Sequence, residues 1–469
     1  MWQRIKNIYH LLNAILANLW FGFPSRRLTV IGVTGTDGKT TTVSLIYHIL
    51  KSAGCNVSMV SSVGAVIGGE NYDVGFHVTT PSPWALQRFI LRALGSRLPL
   101  NDSSLVRSPA EAKMLRSLRQ FKNFSNASVP AARYRSHRHT VAFGDSSEKF
   151  FHAKAPRIFN YLVLEVTSHA IDQDRIWGIP FDISVLTNVT HEHLDYHKTY
   201  ENYVETKAKL LGMSRVAIVN KDDELYNPIK SKIQAENKKF VTYGMGKSSD
   251  INPEVFPFKT KLIGEFNRYN VLAGIAVCRE LGVDEKTIRN AITSFNPPMG
   301  REEIVYKNSF TVMIDFAHTP NAFEQILSSI KPSIKGRLIH VFGAAGERDA
   351  TKRPLMGKAS SKYSDVIILT SEDPRSESVG KIMSEISSGI QNSKFPPSFC
   401  NAELRRAGKI KIFKIPNRQE AIQTAIKMAR KGDFVLITGK SHEKSMNYGK
   451  GEEPWDEFGV VKKALNKYV

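Results

Sequence analysis

With 469 residues, 42% of them hydrophobic and 23% charged, the chain has the composition of a soluble globular protein and the length for two or three domains, each with its own core. Three cysteines, Cys55, Cys278 and Cys400, are odd in number and lack metal-type spacing. They exclude a disulfide framework and point to free thiols in a reducing compartment. The net charge of +21 makes a positive field that draws polyanions or keeps the surface soluble, and charge alone does not choose between the two.

The chain opens MWQRIKNIYHLLNAILANLWFGFPSRR. Its apolar run over 11–23 is broken by Asn13, Asn18, Gly22 and Pro24, too short and polar to span a membrane. No small-residue cleavage site follows, which speaks against a signal peptide. Residues 1–26 read as a helical segment docked on the protein itself. The other reading is an interfacial helix with Arg4, Lys6, Arg26 and Arg27 near anionic lipid.

Residues 28–35 are β-branched and apolar and end on a glycine turn, which predicts a buried strand, and a helix closed by Gly54 follows. Further buried strands are predicted at 161–166, 182–188 and 215–220, with helices at 201–211 and 266–281. Between them, residues 96–157 carry a net +8 (12 Lys and Arg against 4 Asp and Glu). Apart from a possible helix near 109–121 they lack apolar periodicity and read as an inserted basic loop. The stretch FNPPMGR at 295–301 predicts a linker. Beyond it the alternation resumes, with strands near 311–317, 337–344, 365–370, 409–415 and 433–439 and helices near 320–331, 353–363, 378–391 and 418–431. Strands alternating with helices imply an α/β fold with mostly parallel sheets.

The turn VTGTDGKTTT at 33–42 has the parts of a phosphate loop in an unusual spacing, with Gly32 and Gly38 five residues of chain apart and Gly35 between them. Backbone N–H groups at a helix start lack internal partners and face positive dipole, so they hold phosphate oxygens. Lys39 is placed for the terminal phosphates and the Thr40 hydroxyl for Mg²⁺. Glu165 ends a predicted buried strand, where ligands of open α/β sheets sit, and can reach the metal. TNVTHEHLDYH at 187–197 is dense in histidine but fits no zinc spacing.

Taken in order, GVTGTDGKTT, TTPSPWALQ (79–87), LEVTSHAIDQDR (164–175), LTNVTHEHLDYH, YVETK (203–207), GEFNRYNVLAG (264–274), MGREEIV (299–305), IDFAHTPNA (314–322), VFGAAGERDATKRPLMG (341–357), TSEDPRSES (370–378) and GKSHE (439–443) resemble the Mur ligases, above all the branch that adds the third residue of the peptidoglycan stem peptide. The resemblance covers 28–460 apart from the basic insertion. It implies a central P-loop-type ATPase domain over 27–297 and a Rossmann-like α/β ligase domain over 298–469. It also implies a cytoplasmic, monomeric enzyme that uses ATP and two Mg²⁺ to turn a carboxylate into an acyl phosphate, which an amine then attacks.

Residue by residue, the resemblance implies ATP binding by Gly35, Thr36, Asp37, Gly38, Lys39, Thr40 and Thr41 and, across the domain cleft, by Asn270, Arg301 and Asp315. Thr40 and Glu165 would hold one Mg²⁺; Glu165, His193 and Lys207 would serve the second, with Lys207 carbamylated. The catalytic set is thus Lys39, Glu165, His193 and Lys207. Thr79, Thr80, Thr167, Gln173 and Arg175 match positions that grip UDP-muramoyl-dipeptide. Arg348, Asp373, Arg375, Gly439 and Glu443 match those for the incoming diamino acid. Arg375 favours meso-diaminopimelate over L-lysine, because only the former has a carboxylate at its far end. The bland alternatives are a surface Lys207 and an Arg375 that merely pairs with Glu377.

The chain departs from the pattern at Asp37, Glu192 and Ser441, where asparagine, aspartate and glycine are usual. The family's N-terminal uridine-binding domain is not represented, so the basic insertion is one candidate for holding the UDP diphosphate. A lipid-linked acceptor is the other possibility, and folylpolyglutamate- or cyanophycin-type ligases are same-scaffold rivals. A nucleic-acid-binding protein is disfavoured because the basic stretch lacks regularly interleaved aromatics.

Overall fold

The computed structural model describes residues 2–75, 79–95, 160–190, 192–234, 238–391 and 410–469. The predicted insertion, its helix near 109–121, and Cys400 lie outside them.

Two sheets organise the chain. The first has eight strands in the order β4-β3-β2-β5-β1-β6-β7-β8: β1 (Thr29–Thr34), β2 (Asn56–Ser61), β3 (Gly64–Ile67), β4 (Glu70–Tyr72), β5 (Asn160–Glu165), β6 (Phe181–Leu186), β7 (Ser214–Asn220) and β8 (Lys239–Tyr243). The strands from β2 through β8 pair in parallel, and β3 and β4 add an antiparallel edge. The central strand β1 is covered on both faces, which is why it reads as an unbroken apolar run. One face packs against α2 (Lys39–Ser52) and a later helix, Glu265–Glu280. The other packs against α3 (Pro83–Ala93).

The second sheet runs β13-β12-β11-β14-β10-β9, with β9 (Glu303–Lys307), β10 (Thr311–Asp315), β11 (Leu338–Phe342), β12 (Val366–Leu369), β13 (Lys411–Lys414) and β14 (Phe434–Thr438). All its pairings are parallel except β9 with β10. Each predicted strand and helix outside the insertion is present within a few residues. The parallel strands β2 and β8 and the antiparallel strands β3, β4 and β9 were not foreseen. A Gly68-Gly69 turn, with both residues at positive φ, joins β3 to β4, the conformation that two-residue hairpins require.

This topology sets the site. β5, β1 and β6 are neighbours, so their carboxyl ends (Glu165, the loop 35–38, and 187–193) emerge side by side. The ends of β10, β11, β12 and β14 do the same in the second sheet. The first helix, α1 (Trp2–Phe21), docks on α3 and on the segment around Trp177 through polar groups. Asn18 donates to the Trp177 carbonyl at 2.7 Å and accepts from Gln87 at 3.1 Å, and Trp84 donates to Asn13 at 3.2 Å.

Gly32 in β1 lies just before the glycine loop 35–38, where an added Cβ would come within 2.7 Å of the Phe181 ring. Gly32→Ala is expected to lower stability by about 1–3 kcal/mol through overpacking, read as a lower urea midpoint, and Phe181→Leu should recover part of the loss. An unchanged midpoint contradicts this packing.

Candidate active site

The loop between β1 and α2 is held from below by side chains. Gly35 and Gly38 have positive φ, and Cβ atoms there would collide with Thr187 Oγ1 and Asn270 Oδ1; only glycine fits so close a backbone. Thr36 N–H donates to the Asn188 carbonyl at 2.8 Å, Asp37 N–H to Asn188 Oδ1 at 3.0 Å, and Thr187 Oγ1 to the Asp37 carbonyl at 2.6 Å. Lys39 folds back on the Thr36 carbonyl at 2.7 Å. The start of α2 has no side-chain cap, which leaves its N–H groups turned toward the cleft.

Thr40 is the junction. Its hydroxyl lies 3.1 and 3.2 Å from the two oxygens of buried Glu165 and 2.9 Å from Ser62 Oγ. The Ser62 N–H donates to Glu165 at 3.0 Å. From the second sheet's side, Arg301 donates to Thr40 at 3.1 Å and to Ser62 at 3.3 Å, while its Nε, buried, has no partner.

Lys207 is 2% exposed, not a surface lysine. It donates to the Gly35 carbonyl at 2.6 Å. Burial first and Lys39 second push its pKa well below the ordinary lysine value, against the pull of Glu192 and Asp37. Nearby His193, in a left-handed conformation, is lowered to about 3, and His169, edge-on to it, to about 4, both chiefly by burial. Both imidazoles are therefore neutral at working pH, the form that ligates metal. Burial acts to raise the Glu192 carboxyl, but the surrounding charges hold it well below the usual range. Those partners are His193 at 3.7 Å, Lys352 at 3.5 Å and His318 at 3.2 Å.

Beside Glu165, Thr80 donates to the Glu165 carbonyl at 3.0 Å and receives the Thr167 N–H at 3.0 Å. Arg175 reaches the Thr80 carbonyl at 3.0 Å, and its buried Nε has no partner. Gln173 donates to Tyr196 at 3.3 Å, and Thr79 lines the cleft. On the far side, Asp373 is taken up by Lys440, at 2.9 and 3.0 Å, and by the Asn447 N–H; Lys440 also pairs with Glu443 at 2.7 Å. Arg375 bonds the Gly346 carbonyl. Glu377 pairs with Arg353 at 2.9 Å, so the Arg375–Glu377 alternative is not what forms. The Arg375 and Arg348 charges lie close enough to repel, and Gly439 lies against Glu372.

Asn270 donates to Asn267 at 2.9 Å, Asn267 donates to Glu302, and the Glu302 N–H donates to Asp315 at 2.8 Å. Asp315 also takes the Ala317 N–H at 2.7 Å. All the candidate residues line or border one cleft of about 1520 Å³, with Thr41 and Lys444 at its edges. Ser62, Glu302, His318, Lys352 and Lys440 were not foreseen. His318 lies inside IDFAHTPNA and Ser62 just past a strand end, signals of position but not of partner. Among the described residues no three of His, Cys, Asp and Glu gather tightly enough to hold a metal by themselves.

One cleft in this α/β fold thus gathers a glycine loop at a helix start, a carboxylate–hydroxyl pair beside it and several arginines, groups suited to phosphate and carboxylate. The Mur ligase middle domain matches residues 33–97 and 146–278, and the Mur ligase glutamate ligase domain matches 300–441. The UDP-N-acetylmuramoyl-L-alanyl-D-glutamate–2,6-diaminopimelate ligase of Aquifex aeolicus (strain VF5) is 34% identical over 469 residues, covering 96% of this chain and 80% of that protein. The UDP-N-acetylmuramyl-tripeptide synthetase of Roseiflexus sp. (strain RS-1) is 32% identical, covering 96% and 81%. Among solved structures, a UDP-N-acetylmuramoyl-L-alanyl-D-glutamate–2,6-diaminopimelate ligase shares the fold at TM-score 0.52, 24% identity, covering 94% of this chain and 78% of that one. A Mycobacterium tuberculosis folylpolyglutamate synthase shares it at 0.58 and 16%, covering 92% and 93%. The chain belongs to the Mur ligase family.

Glu302 carries a pH prediction. Burial first and Asp315 second push its carboxyl up to about 8, against donation from Ile263 and Asn267. The folded chain therefore keeps a proton that the unfolded chain has released, and stability falls as pH rises from 4.5 to 8. Urea midpoints across that window should fall more steeply for the wild-type chain than for Glu302→Gln; equal slopes contradict the assignment.

Proposed function

We infer that this chain is an ATP-dependent carbon–nitrogen ligase that joins meso-diaminopimelate to UDP-N-acetylmuramoyl-L-alanyl-D-glutamate in peptidoglycan synthesis. The relatives named for this reaction support it over four-fifths of their own length. The observation that carries it is one cleft that holds the loop-and-carboxylate centre together with two arginines from different sheets, Arg175 after β5 and Arg375 after β12. One suits the acceptor's peptide end and the other the far carboxylate of the diamino acid, a group that L-lysine lacks. We read residues 27–297 as a P-loop-type ATP-binding domain and 298–469 as a Rossmann-like ligase domain, acting as a monomer since one chain supplies both walls. Consumption of ATP and a UDP-sugar assigns the reaction to the cytoplasm.

The residues fit magnesium. The Thr40 hydroxyl and Glu165 carboxylate converge at 3.1 Å, hard oxygens that leave the remaining positions to phosphate and water, as Mg²⁺ prefers. Thr40 and Glu165 would hold one ion, and Glu165, His193 and a modified Lys207 a second. When bound, the metal neutralises phosphate charge. In this reading the α2 N-terminus and Lys39 orient the triphosphate, with Asn270 and Asp315 at the nucleoside side and Arg301 bridging from the second sheet. The acceptor carboxylate oxygen attacks the terminal phosphorus as the bond to ADP breaks. The diaminopimelate amine then attacks the acyl carbon, the C–N bond forms, phosphate departs with the C–O electron pair, and the ammonium proton is lost. Lys207 is buried and its pKa lies well below the ordinary lysine value, which favours the free amine that takes up CO₂ with loss of one proton and leaves a carbamate carboxylate in its place.

Two assays test this reading. ADP formation should require both UDP-muramoyl-dipeptide and diaminopimelate, and Lys39→Ala should cut kcat about 10²–10³-fold; nucleotide turnover independent of the acceptor contradicts it. Arg375→Ala should raise KM for diaminopimelate about tenfold or more while barely changing that for L-lysine. An equal effect on both overturns the assignment of Arg375.

A further inference from the structure

Helix α1 is built inside out. Its polar side chains Asn13 and Asn18 are buried against α3 and Trp177, and Asn7 donates to Asp172 at 3.0 Å. Ile5, Ile8, Leu12, Leu16, Leu19 and Trp20 face out, with Leu12, Leu19 and Trp20 at 53%, 61% and 60% exposure. Their offsets of 3, 7, 11, 14 and 15 residues from Ile5 form one stripe along the helix. A soluble helix ordinarily turns such a stripe inward, and contiguous exposed apolar surface of this kind marks an interaction face.

Charge selects the occupant. Exposed Arg4 and Lys6 stand at one end of the stripe and exposed Arg26 and Arg27 just past the other, and no acidic residue occurs before Asp37. A second copy laid antiparallel on the stripe would set these cations against one another with no carboxylate between them. An anionic lipid surface answers both features, because it takes the leucines into its acyl boundary and the cations at its headgroups. Trp20 and the partly exposed Trp177 are amphipathic rings of the kind favoured at that boundary. No helix among the described residues is long and apolar enough to cross a membrane, so α1 lies in the plane.

We propose that the outward stripe of α1, flanked by Arg4, Lys6, Arg26 and Arg27, docks the enzyme on an anionic membrane surface. The inward face of the same helix reaches the rim of the acceptor side, through Asn7 on Asp172 and Gln3 on Tyr196 at 2.7 Å. Docking therefore sets the cleft beside the bilayer. The proposal is independent of which amine the enzyme adds.

The test is co-sedimentation of the full chain with vesicles of phosphatidylcholine alone or in equal mixture with phosphatidylglycerol, together with tryptophan emission. Binding to the mixed vesicles should exceed binding to the neutral ones about tenfold or more, fall with salt and shift emission to the blue. Leu12→Ser combined with Leu16→Ser and Leu19→Ser should cut the partition about tenfold or more, and so should Arg26→Glu with Arg27→Glu. Both variants should keep ligase turnover in vesicle-free solution, which separates lost docking from lost folding. Absence of binding to mixed vesicles overturns the proposal. So does equal binding to both vesicle types, or a concentration-dependent dimer that the leucine variant abolishes.

Discussion

The Thr40 hydroxyl is where four stretches of chain meet: the start of α2, the end of β2 at Ser62, the end of β5 at Glu165, and Arg301 from beyond the linker. A carboxylate as buried as Glu165 needs hydrogen-bond partners that compensate for lost water. It finds them in one hydroxyl and one backbone N–H, both neutral, and the nearest cation arrives from the other sheet. The knot therefore does two things. It fixes the phosphate loop against its neighbouring strand, and it makes that loop's geometry depend on the second sheet being in place.

The remaining contacts across the cleft follow the same logic. Asp37, at the tip of the loop, accepts from Asn321 at 2.8 Å and Thr319 at 3.4 Å. Glu192 is held by His318 and Lys352. Ser441 donates to the Gly300 carbonyl in the linker at 2.6 Å. These are the three positions at which the chain departs from the Mur ligase pattern, and each lies on a contact between the two sheets or on the linker that joins them. The departures leave Lys39, Thr40, Glu165, His193 and Lys207 untouched and sit where the halves meet.

Much of this was legible in the residues. The loop, Lys39, Thr40 and Glu165 follow from strand-end logic and the chemistry of phosphate, and β1, β5, β6 and β7 of the first sheet and β10 to β14 of the second follow from periodicity. The antiparallel edge β3–β4 escaped because its strands are short, although Gly68-Gly69 was a visible turn. Ser62, Glu302 and Lys352 escaped because nothing local marks a serine, glutamate or lysine whose partner lies on another element, as Ser62 finds Glu165, Glu302 finds Asn267 and Lys352 finds Glu192. The N-terminal helix was expected to dock on the protein, and it does so through Asn13 and Asn18. Composition announces an apolar run, and only the packing reveals that asparagines, not leucines, are buried.

The account rests on a carboxylate being made attackable by phosphoryl transfer in this cleft. The direct measurement is to supply acceptor labelled with ¹⁸O in its reacting carboxyl, with ATP, Mg²⁺ and diaminopimelate, and to analyse the phosphate released. An acyl phosphate predicts that one labelled oxygen leaves with the phosphate. Unlabelled phosphate, with amide still formed, would contradict the mechanism outright.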